Sequence, residues 1–313
     1  MEIVRVQWAK VGWAASLREL QSYVRDPENS WFIVQYTALA WSWRGFPTRA
    51  LRLVKFLKRN GRRCAIVFHD ADPYEGERWR DRVRRRVQRF VMRETLKRSD
   101  LAILTVPREK LFWIPRGARN VVYIPVGANL PEPEKAWKDQ RTMKGNIPVV
   151  AVFSVTAGYA GMKELRRIAE AMAYASQKIG RLRLVLLGRN SEVGGEELKK
   201  QLAGENVEIN ALGVLPAEEV VRVLGEADVF LFTRAPISSR RGSALAGVAC
   251  GLPVIGREGP ETAPPVTDAG IILLPEESTD QYGPALVRVL TNDEYRASLA
   301  ERNRKVQSQY FSW

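Results

Sequence analysis

Between Ile237 and Gly256 the chain reads ISSRRGSALAGVACGLPVIG. Two hydroxyls, two guanidiniums, a glycine and a third hydroxyl stand directly before an apolar helix. The first turn of a helix presents unpaired N–H groups and the positive end of the macrodipole, a combination suited to phosphate. Ser238, Ser239 and Ser243 add hydroxyl donors, and Gly242 permits close backbone approach to a ligand. Arg240 and Arg241 supply planar forks that match phosphate oxygens. The chemistry indicated is the holding of an anion. The alternative is a serine cap with two solvated arginines.

A second group of candidates closes the apolar stretch CAIVFHD. His69, at the end of a buried strand, can hydrogen-bond a substrate hydroxyl or relay a proton. A structural histidine is the competing reading. Asp70-Ala71-Asp72 spells DxD, which two acidic residues in a loop produce by coincidence. With one histidine in 313 residues, a His-based metal cluster is not expected, and no metal or other cofactor is assigned. Cys64 and Cys250 lie in apolar contexts and read as buried thiols rather than a disulfide.

The elements that must position these residues alternate clearly in the second half. The apolar strands VVAVFSV (149–155), LRLVLLG (182–188), VEINALG, DVFLFT, LPVIG and GIILL are separated by helical patterns. These include KELRRIAEAMAYASQKIG, a helix from Glu196, and PAEEVVRVLGEA. Apolar strands alternating with amphipathic helices indicate a parallel sheet covered on both faces. Ligands of such sheets sit at the carboxyl ends of strands, where the serine-arginine stretch falls. The first half repeats the theme with SWFIVQY, PTRALRLVKFLKRNG closed by Gly61, CAIVFHD, a basic helix at 78–98, DLAILTV and NVVYIPVG. The polar, proline-flanked segment 131–148 reads as a linker between domains at 1–140 and 146–313, the first of them short at its start.

Charge divides the chain in the same place. The net charge is +14, yet residues 1–145 hold 30 Lys and Arg against 15 Asp and Glu, and the remainder holds 19 against 20. Eight of the nine tryptophans also lie in the first part. The helix 78–98 alone carries ten basic and two acidic residues, around a stripe from Trp79, Val83, Val87, Phe90 and Val91 through Met92 to Leu96 that is expected to face the core. Such asymmetry implies an acidic partner: a membrane surface, an anionic substrate or nucleic acid. Nucleic acid is disfavoured, because no helix-turn-helix, zinc or RNP-type motif accompanies the charge. No run of about 18 apolar residues suggests a membrane span. The start MEIVRVQWAK lacks a signal-peptide core, so a cytoplasmic protein is expected.

Taken together, LLGRN, LGVLPAEEVVRVLGEADVFLFT, the serine-rich turn and ALAGVACGLPVIG follow the order of motifs in the GT-B glycosyltransferases. They resemble the retaining family 4 in particular, most recognisably from Ala249 to Ile255. In the first half IVQYTALAWSWRGFP, VFHD, RSDLAILTV and VVYIPVGANLP look like the corresponding segments. The resemblance implies an α/β fold of two Rossmann-like domains with a cleft between them, and transfer of a sugar from a nucleotide diphosphate donor without a metal. It implies that His69 lies near the transferred sugar and that Gly188, Arg189, Gly213, Val214 and Leu215 meet the base and ribose. Arg240 and Arg241, with Ser238, Ser239, Gly242 and Ser243, would meet the leaving diphosphate. The family's E-x7-E glutamate pair falls at Ser238 and Ala246, so both carboxylates are missing, and of its donor-gripping Arg and Lys only Lys163 is a candidate. The family's opening glycine-rich loop has only Gly12 in its place, and QSQYFSW resembles the start of its terminal crossing segment.

The expectation is a transferase acting on a lipid-linked or glycan acceptor at the cytoplasmic membrane face, with the helix 78–98 on anionic lipid. The alternative is a non-catalytic GT-B-like protein that binds a nucleotide or glycan.

Overall fold

The structure is a computed structural model that describes residues 3–22, 30–131, 147–276, 278 and 280–312. Its contacts divide the chain into two compact units, Met1–Ile124 and Pro125–Trp313. The expected linker lies almost wholly outside the described residues. Pro125 onward belongs to the second unit, where the Val126 N–H donates to Ser239 O at 2.8 Å.

The first unit opens with two helices, α1 (Trp8–Val11) and α2 (Trp13–Ser22), where the resemblance calls for a strand and a glycine-rich loop. Then come β1 (Trp31–Tyr36), α3 (Ala38–Trp41), α4 (Thr48–Arg59), β2 (Arg63–Phe68), α5 (Trp79–Arg98), β3 (Leu101–Leu104) and β4 (Val121–Tyr123). The four strands form one parallel sheet in the order β1-β2-β3-β4. Helix α4 buries Ala50, Leu51, Leu53, Val54 and Leu57, a 3–4 spacing that gives it one apolar face. Lys58 in its last turn reaches Asp100 at 2.6 Å, and that carboxylate also accepts the Cys64 N–H at 2.7 Å. The helix end is thereby tied to the starts of β2 and β3.

Strand alternation sorts the sheet into two faces. Val34, Tyr36, Ile66, Phe68, Ala102 and Leu104 are buried in the unit's core, where Phe68 packs between Tyr36 and Trp113. On the opposite face Trp31 and Ile33 are exposed.

Helix α5 departs from the expected single stripe. Gln88, Val91, Met92, Thr95 and Leu96 are buried, and Trp79, Val83 and Phe90 are exposed. From Trp79 to Gln88 is nine residues, two and a half turns at 3.6 per turn, so these sets lie on opposite sides of the helix. The apolar residues of the helix therefore form two faces, and only one of them meets the core.

The second unit contains β5 (Val149–Phe153), α6 (Gly158–Ile179), β6 (Leu182–Leu187), α7 (Ser191–Gln201), β7 (Val207–Ala211), α8 (Ala217–Gly225), β8 (Val229–Pro236), α9 (Gly242–Ala249), β9 (Val254–Arg257), β10 (Ile271–Leu274), α10 (Tyr282–Thr291) and α11 (Asp293–Val306). All six strands are parallel, in the order β10-β9-β8-β5-β6-β7. Apolar cores lie on both faces of this sheet, as the continuous apolar strands require. Helix α7 starts at Ser191 rather than Glu196, because the glycines at 194 and 195 are buried within it. Cys250 and Gly251 end α9: Gly251 has φ +68°, and the Leu252 N–H returns to Gly247 O at 2.9 Å. This glycine turn delivers the chain into β9. The last segment packs on the same unit, with Phe311 in its core.

Candidate functional site

In the second sheet β5 and β8 are neighbours, and the chain order runs outward from them in both directions. Their carboxyl ends mark the topological switch point, where a ligand crevice opens in open parallel sheets. Four connections follow these ends and those of β6 and β7: residues 154–157, 188–190, 212–216 and 237–241.

The first three connections are bonded into one rim. Gly188 has φ +87°, and a Cβ there would lie 2.5 Å from Ser154 Oγ, so only glycine lets the two loops approach this closely. Gly188 N–H donates to Gly213 O at 2.6 Å, and Val155 N–H to Arg189 O at 3.0 Å. Ser191 Oγ accepts the Gly213 N–H at 3.0 Å. Arg189 and Val214 remain exposed, and Leu215 is half-buried. The residues expected to meet base and ribose are therefore contiguous.

The fourth connection carries the serine-arginine stretch. Arg241 is the N-cap of α9, with no side-chain cap bond, so the serine-cap alternative is not adopted. Ser238 and Ser239 are buried. The Ser238 hydroxyl donates to Glu261 Oε2 at 3.0 Å, and Ser239 O receives the Val126 N–H. Arg240 donates Nε and Nη2 to the two oxygens of Glu261, each at 2.7 Å. Gly242 and Ser243, in the first turn of α9, are partly exposed.

The two arginines are thus in different states. Arg240 is held by a carboxylate twenty-one residues away in sequence. Arg241 is half-buried, and its Nε is buried with no hydrogen-bond partner. A buried donor left unmet is costly, and a ligand that accepts from it recovers that cost. Burial, and then the neighbouring Arg240, pull the Arg241 pKa below its ordinary value. Burial pushes the Glu261 carboxyl up, but the hydrogen bond and charge of Arg240 outweigh it and leave the group below the usual range. The arrangement offers an anion one under-partnered guanidinium at an uncapped helix start.

Beside this loop, at the β5 and β8 ends, sit polar groups that sequence reading passed over. Glu164 of α6 is 3% exposed and accepts the Thr156 N–H at 2.9 Å. Burial raises its pKa against that hydrogen bond and the charges of Arg234 and Arg167. Arg167 donates to Thr233 O at 3.4 Å, and Thr233 Oγ1 is buried without a partner. Lys163 is exposed, with Nζ 4.9 Å from the centroid of the Tyr159 ring. Nothing in the sequence marks Glu164 as buried or Glu261 as half-buried. Each reads as one more solvated charge until the fold brings its partner to it.

His69 belongs to the first unit, just beyond β2. Its backbone N–H donates to Tyr36 O at 3.0 Å, and Nε2 pairs with the Gln35 side chain. Asp70 accepts the Ala38 N–H at 2.6 Å, which gives this carboxylate a place in starting α3. Among the described residues no three His, Cys, Asp or Glu side chains gather as a metal site.

The family described as "Glycosyl transferases group 1" matches residues 149–292, the segment that carries the four loops of the second sheet. No curated protein matches the chain in sequence. Among solved structures, S. aureus TarM in complex with fondaparinux, α-GlcNAc-glycerol and UDP superposes with a TM-score of 0.64 at 11% identity, over 95% of this chain and 55% of that one. The chain therefore spans little more than half of TarM. Anabaena HepE in complex with UDP and glucose gives 0.62 at 16%, over 98% and 79%. Sucrose-phosphate synthase from Thermosynechococcus elongatus gives 0.62 at 19%, over 100% and 77%. The chain thus has the GT-B fold, and residues 149–292 of its second unit are similar to the glycosyl transferases group 1.

Proposed function

We propose that the protein is a glycosyltransferase that moves a sugar from a nucleotide diphosphate donor to a glycan or lipid-linked acceptor, with retention of anomeric configuration and without a metal. The observation that carries this reading is Arg241, a half-buried guanidinium with an unpartnered Nε at the uncapped start of α9, beside the switch point. Charge that develops on a departing diphosphate is best met by donors already in place. Arg241 and the N–H groups of Gly242 and Ser243 fill that role. Arg240, clasped by Glu261, fixes the loop that presents them. Gly188, Arg189 and Gly213 to Leu215 hold base and ribose, and His69 serves the sugar. The UDP in the TarM and HepE structures supports a nucleotide donor.

The site of action is the inner face of the membrane, reached peripherally. The support is the excess of basic residues before residue 146. No helix among the described residues is long and apolar enough to cross a bilayer.

The second reading, a non-catalytic nucleotide or glycan binder, is favoured by Ser238 and Ala246 standing where the resemblance places glutamates. Incubation with UDP-, GDP- and ADP-sugars, with and without EDTA, separates the two. Release of nucleoside diphosphate from one donor, unchanged by EDTA, is the expected result. Binding without any turnover favours the binder, and activity that needs added manganese contradicts the metal-free assignment of the phosphates.

A further inference from the structure

We infer that α5 inserts an apolar ridge into an anionic bilayer, and does not merely rest on its surface charge. This rests on the membrane-face reading above and goes beyond it in naming the ridge. Trp79, Val83 and Phe90 are 69%, 42% and 59% exposed, and their spacing of four and seven residues aligns them on one side of the helix. That side is opposite the one that buries Val91, Met92 and Leu96. Arg82, Arg86 and Arg89 are exposed along the ridge's flank, one turn apart. Phe112 is 90% exposed and adjoins Trp113, whose carbonyl oxygen receives Arg93 Nε of the same helix at 2.7 Å.

A core-facing helix has no use for tryptophan and phenylalanine on its outer side. An interfacial helix does: aromatic and aliphatic side chains enter the headgroup boundary while arginines pair with anionic headgroups. The charge selects this occupant, since the unit that bears the ridge holds the chain's basic excess. Salt screens the arginines but leaves the apolar contact intact.

The test uses the full chain with vesicles of phosphatidylcholine mixed with phosphatidylglycerol, carrying acyl chains brominated at shallow depth. Expected are co-sedimentation, quenching of tryptophan emission, and partial retention at a salt concentration that screens the arginines. Trp79→Phe removes the quenching and keeps binding. Phe90→Ser weakens partitioning about tenfold or more, given the area lost from the ridge. Both side chains are exposed, so unchanged circular dichroism is expected of both variants. Binding that is fully reversed by salt, with no quenching, overturns insertion and leaves the membrane reading standing. No binding to anionic vesicles, tighter binding to duplex RNA, or a dimer that Phe90→Ser dissociates overturns both. Turnover of a donor measured in vesicle-free solution is independent of these outcomes.

Discussion

Arg240 and Glu261 clasp each other through two 2.7 Å hydrogen bonds, and the Ser238 hydroxyl completes the carboxylate's partners. Both side chains are largely shielded, 24% and 22% exposed. The pair pins the β8–α9 loop to the loop after β9, so its loss acts first on the fold. Arg240→Ala strands a shielded carboxylate and should cost about 1–3 kcal/mol, read as a lowered Tm. Replacing both residues with alanine should cost less than the sum of the single changes. Strict additivity would mean that the pair is not coupled.

The clasp also sets a pH dependence. Arg240 holds the Glu261 carboxyl below its ordinary value. The stabilisation is therefore fully present above the unfolded-chain value of about 4.3 and is lost as pH falls through the lower folded value. Unfolding of the wild type and of Glu261→Gln, followed from neutral pH downward, should differ by a constant amount until about pH 4 and converge below it. A gap that closes near neutrality would assign the effect to another group.

Much of this was legible beforehand, and the reasons differ by residue. The apolar strands at 149–155, 182–188 and 228–233 allow only a covered parallel sheet, and the structure has one. ACGLPVIG announces a helix end, a left-handed glycine and a buried strand, which Gly251 and Val254 supply. The proposed anion site is legible as composition: two arginines before a helix. Which arginine is available is not, because that depends on Glu261, and no local pattern links positions 240 and 261. The stripe on α5 misled for a related reason. Trp79, Val83 and Phe90 are apolar at helical spacing, and periodicity alone does not say which of two apolar faces meets the core.

Gly188 joins the β6 loop to the β5 loop, and its replacement tests that join. Gly188→Ala meets both a φ of +87° and a Cβ position 2.5 Å from Ser154 Oγ. A stability loss of about 1–3 kcal/mol is expected, from backbone strain and the displaced serine together. Nucleotide affinity should fall with it, because the rim proposed to hold base and ribose is built on this contact. An alanine variant with wild-type Tm and affinity would show that the two loops are not held together as described.

Cys64 is fully buried on β2, and burial pushes its thiol up to about 12. The thiolate is the reactive form, so at pH 8 almost none is present. Iodoacetamide should leave Cys64 unmodified in the native protein and label it after denaturation, as peptide mass spectrometry would read. Rapid native labelling would contradict its placement in the first unit's core.

Isothermal titration of UDP, GDP and ADP into the wild type and Arg241→Ala, in EDTA, tests the assignment of the diphosphate to the uncapped start of α9. One nucleoside diphosphate should bind the wild type. Arg241→Ala should bind it about tenfold or more weakly, the loss of one charge-assisted hydrogen bond of about 1.5–3 kcal/mol, with Tm nearly unchanged. Equal affinity of wild type and variant for every nucleotide, or no binding by the wild type, would contradict it.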